Sequence, residues 1–269
     1  MGIYSVEIKD QIPAESKFVK DDRFWTLPKV TSKDNPSKAI IRFIVDYANS
    51  KKPMIKLLKH NFKFNNYNHN EPCRKTINKE CPICDLSNEY YSSGDPALVA
   101  LGKSMYTKTA FISNILIVSD TNTKDNAADG KVFLLNFGTQ IYRIISKAMA
   151  GDKEVMQDPV DIYDPYEGAN FLIRKEFNGT TPEYINSKFL PQTKIKPTDE
   201  EIGAILSNTY NLDEFLAEDK FPSLEKVEAF VNVLRGNSSV KSIVEAEQVS
   251  VDEKTMNSNK ASLDDILNN

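Results

Sequence analysis

The sequence is poor in cysteine and histidine and has no long apolar run. Its 269 residues include three Cys, two His and one Trp. The aliphatic run at residues 115–118 has four members, whereas a membrane-spanning helix needs about 20 apolar residues. The first ten residues, MGIYSVEIKD, contain no apolar stretch of the kind found in a secretory signal. We therefore expect no membrane partner and no secretion.

Signatures of common enzyme classes are also missing. The chain lacks the Gly-x-Ser-x-Gly, Walker A and Gly-x-Gly-x-x-Gly patterns, which mark hydrolases, nucleoside triphosphatases and dinucleotide-dependent enzymes. A metal-dependent nuclease or deaminase needs an open coordination position, and at most one histidine is left outside a closed metal site. We predict that the protein is not an enzyme.

Charge is unevenly distributed along the chain. The net charge is −4, yet residues 40–119 carry 11 basic and 6 acidic side chains. A local positive field can attract an anionic polymer even when the whole protein is acidic. The excess is a first indication of a nucleic-acid partner, and the alternative is a chance fluctuation on a solvated surface.

All Cys and His residues fall between positions 60 and 84. The thiolates of a Cys-x-x-Cys turn, here Cys81 and Cys84, can reach one ion, and Cys73 supplies a third ligand. A histidine completes one closed, structural Cys₃His zinc site, for which the spacing leaves His60 and His69 nearly equal. An odd cysteine count disfavours a disulfide framework, and a redox pair would not need the third cysteine or the histidines.

The predicted fold class is α+β, mainly β. Five segments have the branched and aromatic composition of strands: residues 38–47, 54–64, 111–120, 131–139 and 169–177. Five short strands with long irregular connections are typical of a partly open oligonucleotide-binding (OB) barrel. Patterns of apolar and capping residues predict peripheral helices: residues 139–150, a helix opened by Thr198 and Glu201, and a helix between Ser223 and Gly236.

Three regions are expected along the chain. Residues 1–20 form a polar N-terminal arm, and residues 21–236 form the core with a zinc lobe at about 54–110. Residues 237–269 are an acidic, flexible C-terminal tail, because they have too few apolar side chains to fold alone. Residues 262–267, near the end of the tail, have the sequence SLDDIL, which is typical of a docking peptide; the alternative is an unstructured, solubilising tail.

Several segments together resemble the single-stranded DNA-binding (helix-destabilising) proteins of T-even-type phages. The resemblance runs from about Trp25 to Gly236 and recurs at the C-terminus. Its motifs are Trp25 with AIIRF at 39–43, HNFK at 60–63, Cys73 with CPIC at 81–84, NIL at 114–116, GKVF at 130–133, PYEGANF at 165–171, Tyr184 with SKFL at 187–190, and LDDIL at 263–267.

The resemblance implies an OB-fold with an inserted zinc lobe, and it favours His60 as the zinc ligand with Cys73, Cys81 and Cys84. It implies sequence-independent, cooperative binding of single-stranded DNA in a cleft between lobe and barrel, with self-association through the arm. The protein would coat and protect single strands in phage DNA replication, recombination and repair, in the cytoplasm of the infected bacterial host. Its acidic tail would recruit replication and recombination proteins. The alternative function is a zinc-stabilised RNA-binding or translation-regulating protein.

Binding of unpaired strands needs cations for phosphates and flat rings for bases. The predicted cationic contacts are Arg42, Lys59, Lys63, Arg74, Lys75, Lys103, Lys108 and Lys188. The predicted stacking residues are Tyr90, Tyr91, Tyr106, Phe111, Tyr166 and Tyr184. Arg42 is the leading cationic contact, because an unpaired charge in mid-strand would be costly to bury; its alternative is an internal salt bridge.

The chain also departs from the family pattern at defined positions. Its N-terminal arm lacks the basic cluster that the family uses for head-to-tail cooperativity. Tyr106 stands in what is a basic triplet in the family, and Ile112 and Leu135 replace aromatic residues. These departures predict weaker cooperativity through the arm, and a DNA affinity that is either weaker or depends on other residues.

Overall fold

A computed structural model describes residues 21–64, 67–151, 153–154 and 158–236. The predicted arm, 1–20, and the predicted tail, 237–269, lie outside the described residues. Within them the chain forms nine strands and five α-helices. The strands are β1 Phe24–Trp25, β2 Ser37–Ile44, β3 Ile55–Phe64, β4 Tyr67–Pro72, β5 Thr107–Ser119, β6 Val132–Gly138, β7 Ala169–Phe177, β8 Pro182–Glu183 and β9 Lys188–Gln192. The helices are α1 Pro82–Tyr91, α2 Pro96–Met105, α3 Thr139–Ala150, α4 Asp199–Leu206 and α5 Leu224–Gly236.

The strands form an open sheet, and the fold is mixed α+β with mainly sheet, as predicted. Its pairing path is β1-β6-β5-β2-β7-β8, while β3 pairs with β4 and β5, and β9 pairs with β7. β1 and β6 are parallel, whereas β5 is antiparallel to both β2 and β6. The pairings of the described residues continue through nine strands without closing, so the sheet has more strands than the five predicted, and an OB-type arrangement of the strands stays a prediction. The short strands β1, β4, β8 and β9 lacked a clear composition signal.

The described residues divide into two compact units. Unit 1 contains residues 59–108 together with residues 221–236. Unit 2 contains residues 21–58 and 109–220. None of the helices in the described residues is long and apolar enough to cross a membrane.

Unit 2 is built around aromatic and branched side chains that alternate along its strands. In β2, Ile41 and Phe43 are fully buried, as expected for residues two apart on one face of a strand. The Phe43 ring lies 5.9 Å from that of Phe137 and 5.7 Å from that of Phe171. These contacts join β2, β6 and β7 into one core. Trp25 is anchored in the same core by its indole N–H, which donates to Asp120 at 2.8 Å.

The predicted helices are present, with the predicted caps. The helix at 139–150 has the predicted bounds and ends at Gly151, where φ is 67°. At α4, the Thr198 hydroxyl accepts from the Glu201 amide, and the Glu201 carboxylate accepts from the Thr198 amide. These reciprocal bonds confirm the capping box. Ser223 precedes α5, and its hydroxyl accepts from the Lys226 amide at 3.2 Å.

Unit 1 contains a closely packed pair of helices, α1 and α2. Asp95 begins α2, because its carboxylate accepts from the amides of Ala97 and Leu98. Gly102 of α2 faces α1 so closely that a Cβ would lie 2.8 Å from both the Ser87 carbonyl oxygen and the Tyr91 amide nitrogen. Only glycine permits the two helix backbones to approach to this distance.

Two glycine-to-alanine substitutions should change the free energy of unfolding in opposite directions, because Gly102 lies against the backbone of another helix and Gly203 does not. Gly102→Ala should lower the free energy of unfolding by about 1–3 kcal/mol, because backbone atoms of α1 obstruct the new methyl group. Gly203→Ala in α4 is the matched control. Nothing lies within 4 Å of its Cβ position, so better helix propensity should raise the free energy of unfolding by about 0.5–1 kcal/mol. Urea denaturation measures both, and equal effects at the two sites would contradict the close approach.

Candidate metal centre and nucleic-acid interface

Four side chains of unit 1 converge on one point. His60, Cys73, Cys81 and Cys84 each offer one ligand atom, and these atoms all lie within 4.8 Å of one another. His60, Cys73 and Cys81 are buried, while Cys84 is partly exposed. The structure therefore brings together the four residues predicted as metal ligands.

Local structure accounts for this convergence. His60 lies in β3, which pairs with β4 so that His60 is opposite Glu71. Cys73 follows β4 directly, so the hairpin carries both residues to the same end. Cys81 is the N-cap of α1, and Pro82 occupies its first position, where no amide hydrogen is needed. Cys84 then lies in the first turn of α1, beside Cys81.

The distances between the ligand atoms fit a tetrahedral metal. The His60 Nε2 atom lies 3.3 Å from Cys81 Sγ and 3.5 Å from Cys84 Sγ, and the Sγ atoms of Cys73 and Cys84 are 3.5 Å apart. Ligands at the usual zinc–nitrogen and zinc–sulfur distances lie roughly 3.5–3.8 Å from each other in a tetrahedron. The donor set and its spacing can therefore hold one metal ion.

The histidine is already oriented for coordination. Its Nδ1 lies 2.8 Å from the Met105 carbonyl oxygen. A protonated Nδ1 donates to this carbonyl, and Nε2 faces the cysteines, where it would coordinate a metal ion once its own proton is displaced. In metal-binding histidines, the ring nitrogen that does not bind the metal usually donates such a hydrogen bond, which fixes the orientation of the imidazole.

The ionisable side chains of the cluster shift one another's pKa values in different directions. Burial disfavours a charged His60, but its hydrogen bonds with Cys73 and Cys81 outweigh burial and raise its pKa to about 10. Hydrogen bonds from Cys73 and Cys84 lower the pKa of the Cys81 thiol. Hydrogen bonds with Cys73 and Cys81 raise the pKa of the Cys84 thiol. Without an ion, the cluster therefore holds protons on His60 and Cys84 beside the Cys81 thiolate, and a bound metal ion would replace those protons.

His69, the other histidine, has a different environment. Its ring stacks on Phe230 of α5, with centroids 4.6 Å apart and planes 10° apart, and it also contacts Phe62. Burial lowers its pKa to about 4, so it is neutral at pH 7. His69 is therefore part of the apolar packing between the β3–β4 hairpin and α5, and it does not join the four-residue cluster.

Helix α5 contributes directly to unit 1. The Arg74 side chain donates to the carbonyl oxygens of Glu80 and Pro222, at 3.0 and 2.6 Å. The Lys226 ammonium of α5 lies 2.6 Å from the Glu71 carboxylate. Arg74 is only 8% exposed, so its prediction as a DNA contact is corrected: it ties the segment before α5 to the loop that follows Cys73.

Three predicted DNA contacts of unit 1 lie together on its surface. Tyr91 ends α1 and Tyr106 follows α2, with 48% and 40% of their respective surfaces exposed. Their ring centroids are 5.7 Å apart. The Lys103 ammonium lies 5.7 Å from the Tyr91 ring centroid, within cation–π range. We call Tyr91, Lys103 and Tyr106 the aromatic cluster.

Other predicted cations are placed separately. Lys63, Lys75, Lys108 and Lys188 are exposed, and Lys75 lies 3.6 Å from the Asp85 carboxylate. Lys59 is half-buried, and burial lowers the pKa of its ammonium.

Three further predictions of DNA contacts need correction, because the side chains are buried. Tyr90 and Phe111 are 8% and 5% exposed, and Arg42 has no exposed surface. The Arg42 guanidinium donates to the carbonyl oxygens of Asp164 and Thr193. The alternative given for Arg42 was an internal salt bridge. Its charge is indeed satisfied inside the protein, but the main acceptors are backbone carbonyl oxygens rather than a carboxylate. Buried rings and buried cations are not available to an unpaired strand.

The remaining two predicted aromatics belong to unit 2. Tyr166 is 47% exposed, with the Lys194 ammonium 5.0 Å from its ring centroid. Tyr184 is half-buried and lines a cavity of about 250 Å³ together with Trp25, Phe137 and Lys175. Burial raises the pKa of the Tyr184 hydroxyl. Both aromatics keep surface that a base could reach.

Two exposed residues of unit 2 that lie beside aromatic rings, Tyr142 and Lys194, were not among the predicted DNA contacts. Tyr142 of α3 is 38% exposed, and its ring stacks on Phe111 with centroids 4.2 Å apart. The helical periodicity of residues 139–150 places Tyr142 off the apolar face, which is the signal that could have identified it. Lys194 follows β9, and its place beside Tyr166 depends on a contact across 28 positions of sequence that no local pattern shows.

Comparison with known proteins identifies the family of the chain. The family model described as "gp32 DNA binding protein like" matches residues 35–234. The chain is 31% identical over 228 residues to the "Single-stranded DNA-binding protein" of Enterobacteria phage T2, covering 82% of this chain and 72% of that protein. It is 32% identical over 215 residues to the "Single-stranded DNA-binding protein" of Enterobacteria phage T4, covering 77% of this chain and 68% of that protein. The chain therefore belongs to the gp32-like family of DNA-binding proteins, which is non-enzymatic.

Proposed function

We propose that this protein binds single-stranded DNA without sequence preference. The observation that carries the proposal is the aromatic cluster, where exposed rings and a cation occur together. Stacking on a ring contributes about 1–3 kcal/mol per base and accepts every base, while a lysine contacts phosphate. The names of the T2 and T4 relatives support the same ligand.

Further contacts are proposed on both units. On unit 1, the exposed Lys63, Lys75 and Lys108 and the half-buried Lys59 can neutralise phosphates. On unit 2, Lys188 can do the same, and the cavity beside Tyr184, which is lined in part by aromatic rings, can receive a base.

We propose zinc as the resident metal of unit 1. Three thiolates and one imidazole form the donor set that zinc prefers, and its four ligands leave no open position for water. His60, Cys73, Cys81 and Cys84 would hold the ion. Its role would be structural, because it would connect the β3–β4 hairpin to the start of α1, from which the chain continues to Tyr91.

The wider role follows the resemblance and the names of the relatives. We propose that the protein coats single strands during phage DNA replication, recombination and repair in the infected bacterial cytoplasm. Residues 1–20 would serve self-association, and residues 237–269 would recruit replication and recombination proteins. An OB-type arrangement of the strands of unit 2 belongs to the same proposal.

The first prediction concerns the ligand. In a fluorescence titration, poly(dT) should bind more tightly than duplex DNA or RNA of equal length. Because bound phosphates release counterions, log K should fall linearly with log salt, at roughly −0.7 per phosphate neutralised. Equal or tighter binding of duplex DNA would contradict the proposal, and a preference for RNA would indicate the alternative function.

The second prediction concerns the aromatic cluster. Tyr91→Ala and Tyr106→Ala should each weaken oligo(dT) binding at least about fivefold, because each removes a stacking surface. Tyr91→Phe and Tyr106→Phe are matched controls that keep the ring, so their affinities should stay within about twofold of the parent. If the alanine variants bind as tightly as the phenylalanine variants, the cluster does not contact bases.

The third prediction concerns the metal. The purified chain should contain one zinc ion by atomic emission, and Cys84→Ser or chelation should remove it. Metal loss should lower the free energy of unfolding by about 3 kcal/mol or more, a fall in Tm of roughly 10 °C, and weaken DNA binding. Conversion of the exposed Ser104 to Ala is the control for handling and should retain zinc. Unchanged melting after verified metal removal would exclude a structural ion.

A further inference from the structure

Arg42 occupies an unusual place for a charged residue. It lies in the middle of β2 and has no exposed surface. One guanidinium nitrogen, Nη2, donates to the Asp164 carbonyl oxygen at 2.7 Å and to the Thr193 carbonyl oxygen at 3.1 Å. Burial lowers the pKa of Arg42 to about 10, so it remains charged at pH 7. A buried charge persists only when its hydrogen bonds compensate for lost hydration.

The two acceptors of Arg42 belong to different segments of unit 2. Asp164 begins the turn at residues 164–168, which we call the Tyr166 turn. The Asp164 carboxylate accepts from the amides of Tyr166 and Glu167, at 2.7 and 2.9 Å. Thr193 follows β9 and begins residues 193–197, which contain Lys194. Arg42 therefore connects the segment of Tyr166 to the segment of Lys194 from inside the unit.

Backbone bonds join the same two segments. The Thr193 amide donates to the Gly168 carbonyl oxygen, and the Ile195 amide donates to the Pro165 carbonyl oxygen, both at 2.9 Å. Gly168 is tightly enclosed: a Cβ there would lie 2.5 Å from the Asp164 carbonyl oxygen and 2.8 Å from Arg42 Nη2. The turn is thus closed directly against the guanidinium.

On the solvent side of these two segments, the Lys194 ammonium lies beside the Tyr166 ring. Tyr166 is 47% exposed, and the Lys194 ammonium lies 5.0 Å from its ring centroid. Lys194 also pairs with the Asp199 carboxylate at 2.9 Å and donates to the Pro197 carbonyl oxygen at 3.3 Å. Both Lys194 and Asp199 are solvent-exposed, so water and salt weaken their ion pair.

We propose that Tyr166 and Lys194 form a nucleotide-contact site on unit 2, and that buried Arg42 is its positioning residue. The Tyr166 ring stacks on one base, and Lys194 exchanges Asp199 for a backbone phosphate when a strand binds. Arg42 acts through the backbone of both segments and does not touch the strand. This inference rests on the proposed binding of single-stranded DNA and adds a contact and a positioning device to it.

The contact is tested with the full chain and fluorescently labelled oligo(dT). Tyr166→Ala should weaken binding at least about fivefold, and Lys194→Met should reduce the salt slope by about 0.7. Tyr166→Phe is the matched control, because it keeps the ring at the same position; its affinity should stay within about twofold of the parent. If Tyr166→Ala binds as tightly as Tyr166→Phe, the site is excluded.

The positioning role is tested by a double-mutant cycle. Lysine keeps the charge of Arg42 but lacks the planar fork of donors, so the Arg42→Lys background should reduce the Tyr166→Ala effect to less than about twofold. Asp164→Ala removes the carboxylate that accepts from the Tyr166 and Glu167 amides. It should also reduce the Tyr166→Ala effect, so it provides a second background if Arg42→Lys fails to fold. A purely structural role would lower Tm while the full Tyr166→Ala effect persists in both backgrounds, and that result would overturn the assignment.

Failure of the two proposals is distinguishable. If the unmodified chain does not bind oligo(dT), the proposed function fails, and the site fails with it. If the unmodified chain binds and the Tyr91→Ala variant weakens binding while Tyr166→Ala does not, only the unit 2 site is overturned.

Discussion

Hydrogen bonds from buried side chains to backbone carbonyl oxygens organise both units of this protein. His60 is bonded to the Met105 carbonyl, Arg74 to those of Glu80 and Pro222, and Arg42 to those of Asp164 and Thr193. Each bond is long-range or closes a loop, and each satisfies a group that would be costly to bury alone. The imidazole Nε2 faces the cysteines for this reason, and both arginines support surface segments from within.

The metal ligands could be predicted because much of their geometry is local. Cys81 and Cys84 are three positions apart in the first turn of a helix, so spacing alone places their sulfur atoms together. The choice between His60 and His69 was open from spacing, because it depends on which side of a paired hairpin faces the cysteines and which faces Phe230. That packing partner lies about 160 positions later in the sequence, and the family resemblance rather than the residue pattern favoured His60.

The DNA contacts could be predicted only in part, because residue type does not determine exposure. Tyr90 and Tyr91 are neighbours on one helix, and a rotation of about 100° per residue turns one towards the core and the other towards solvent. Arg42 and Arg74 have the composition of phosphate ligands, yet each is occupied by carbonyl oxygens from distant segments. Strand composition likewise indicated the long strands, but the two-residue strands and the absence of closure depend on pairings that no single segment encodes.

The position of α5 in the sequence has a consequence for how the chain folds during synthesis. Arg74 and Pro222 are 148 positions apart, and Glu71 and Lys226 are 155 positions apart. Such distant contacts slow folding, since a large loop must be ordered before they form. During synthesis on the ribosome, the β3–β4 hairpin and all three cysteines emerge long before the helix that covers His69. The four metal ligands of unit 1 are therefore synthesised early. The packing of α5 against the rest of unit 1 is completed only after the whole of unit 2 has been translated.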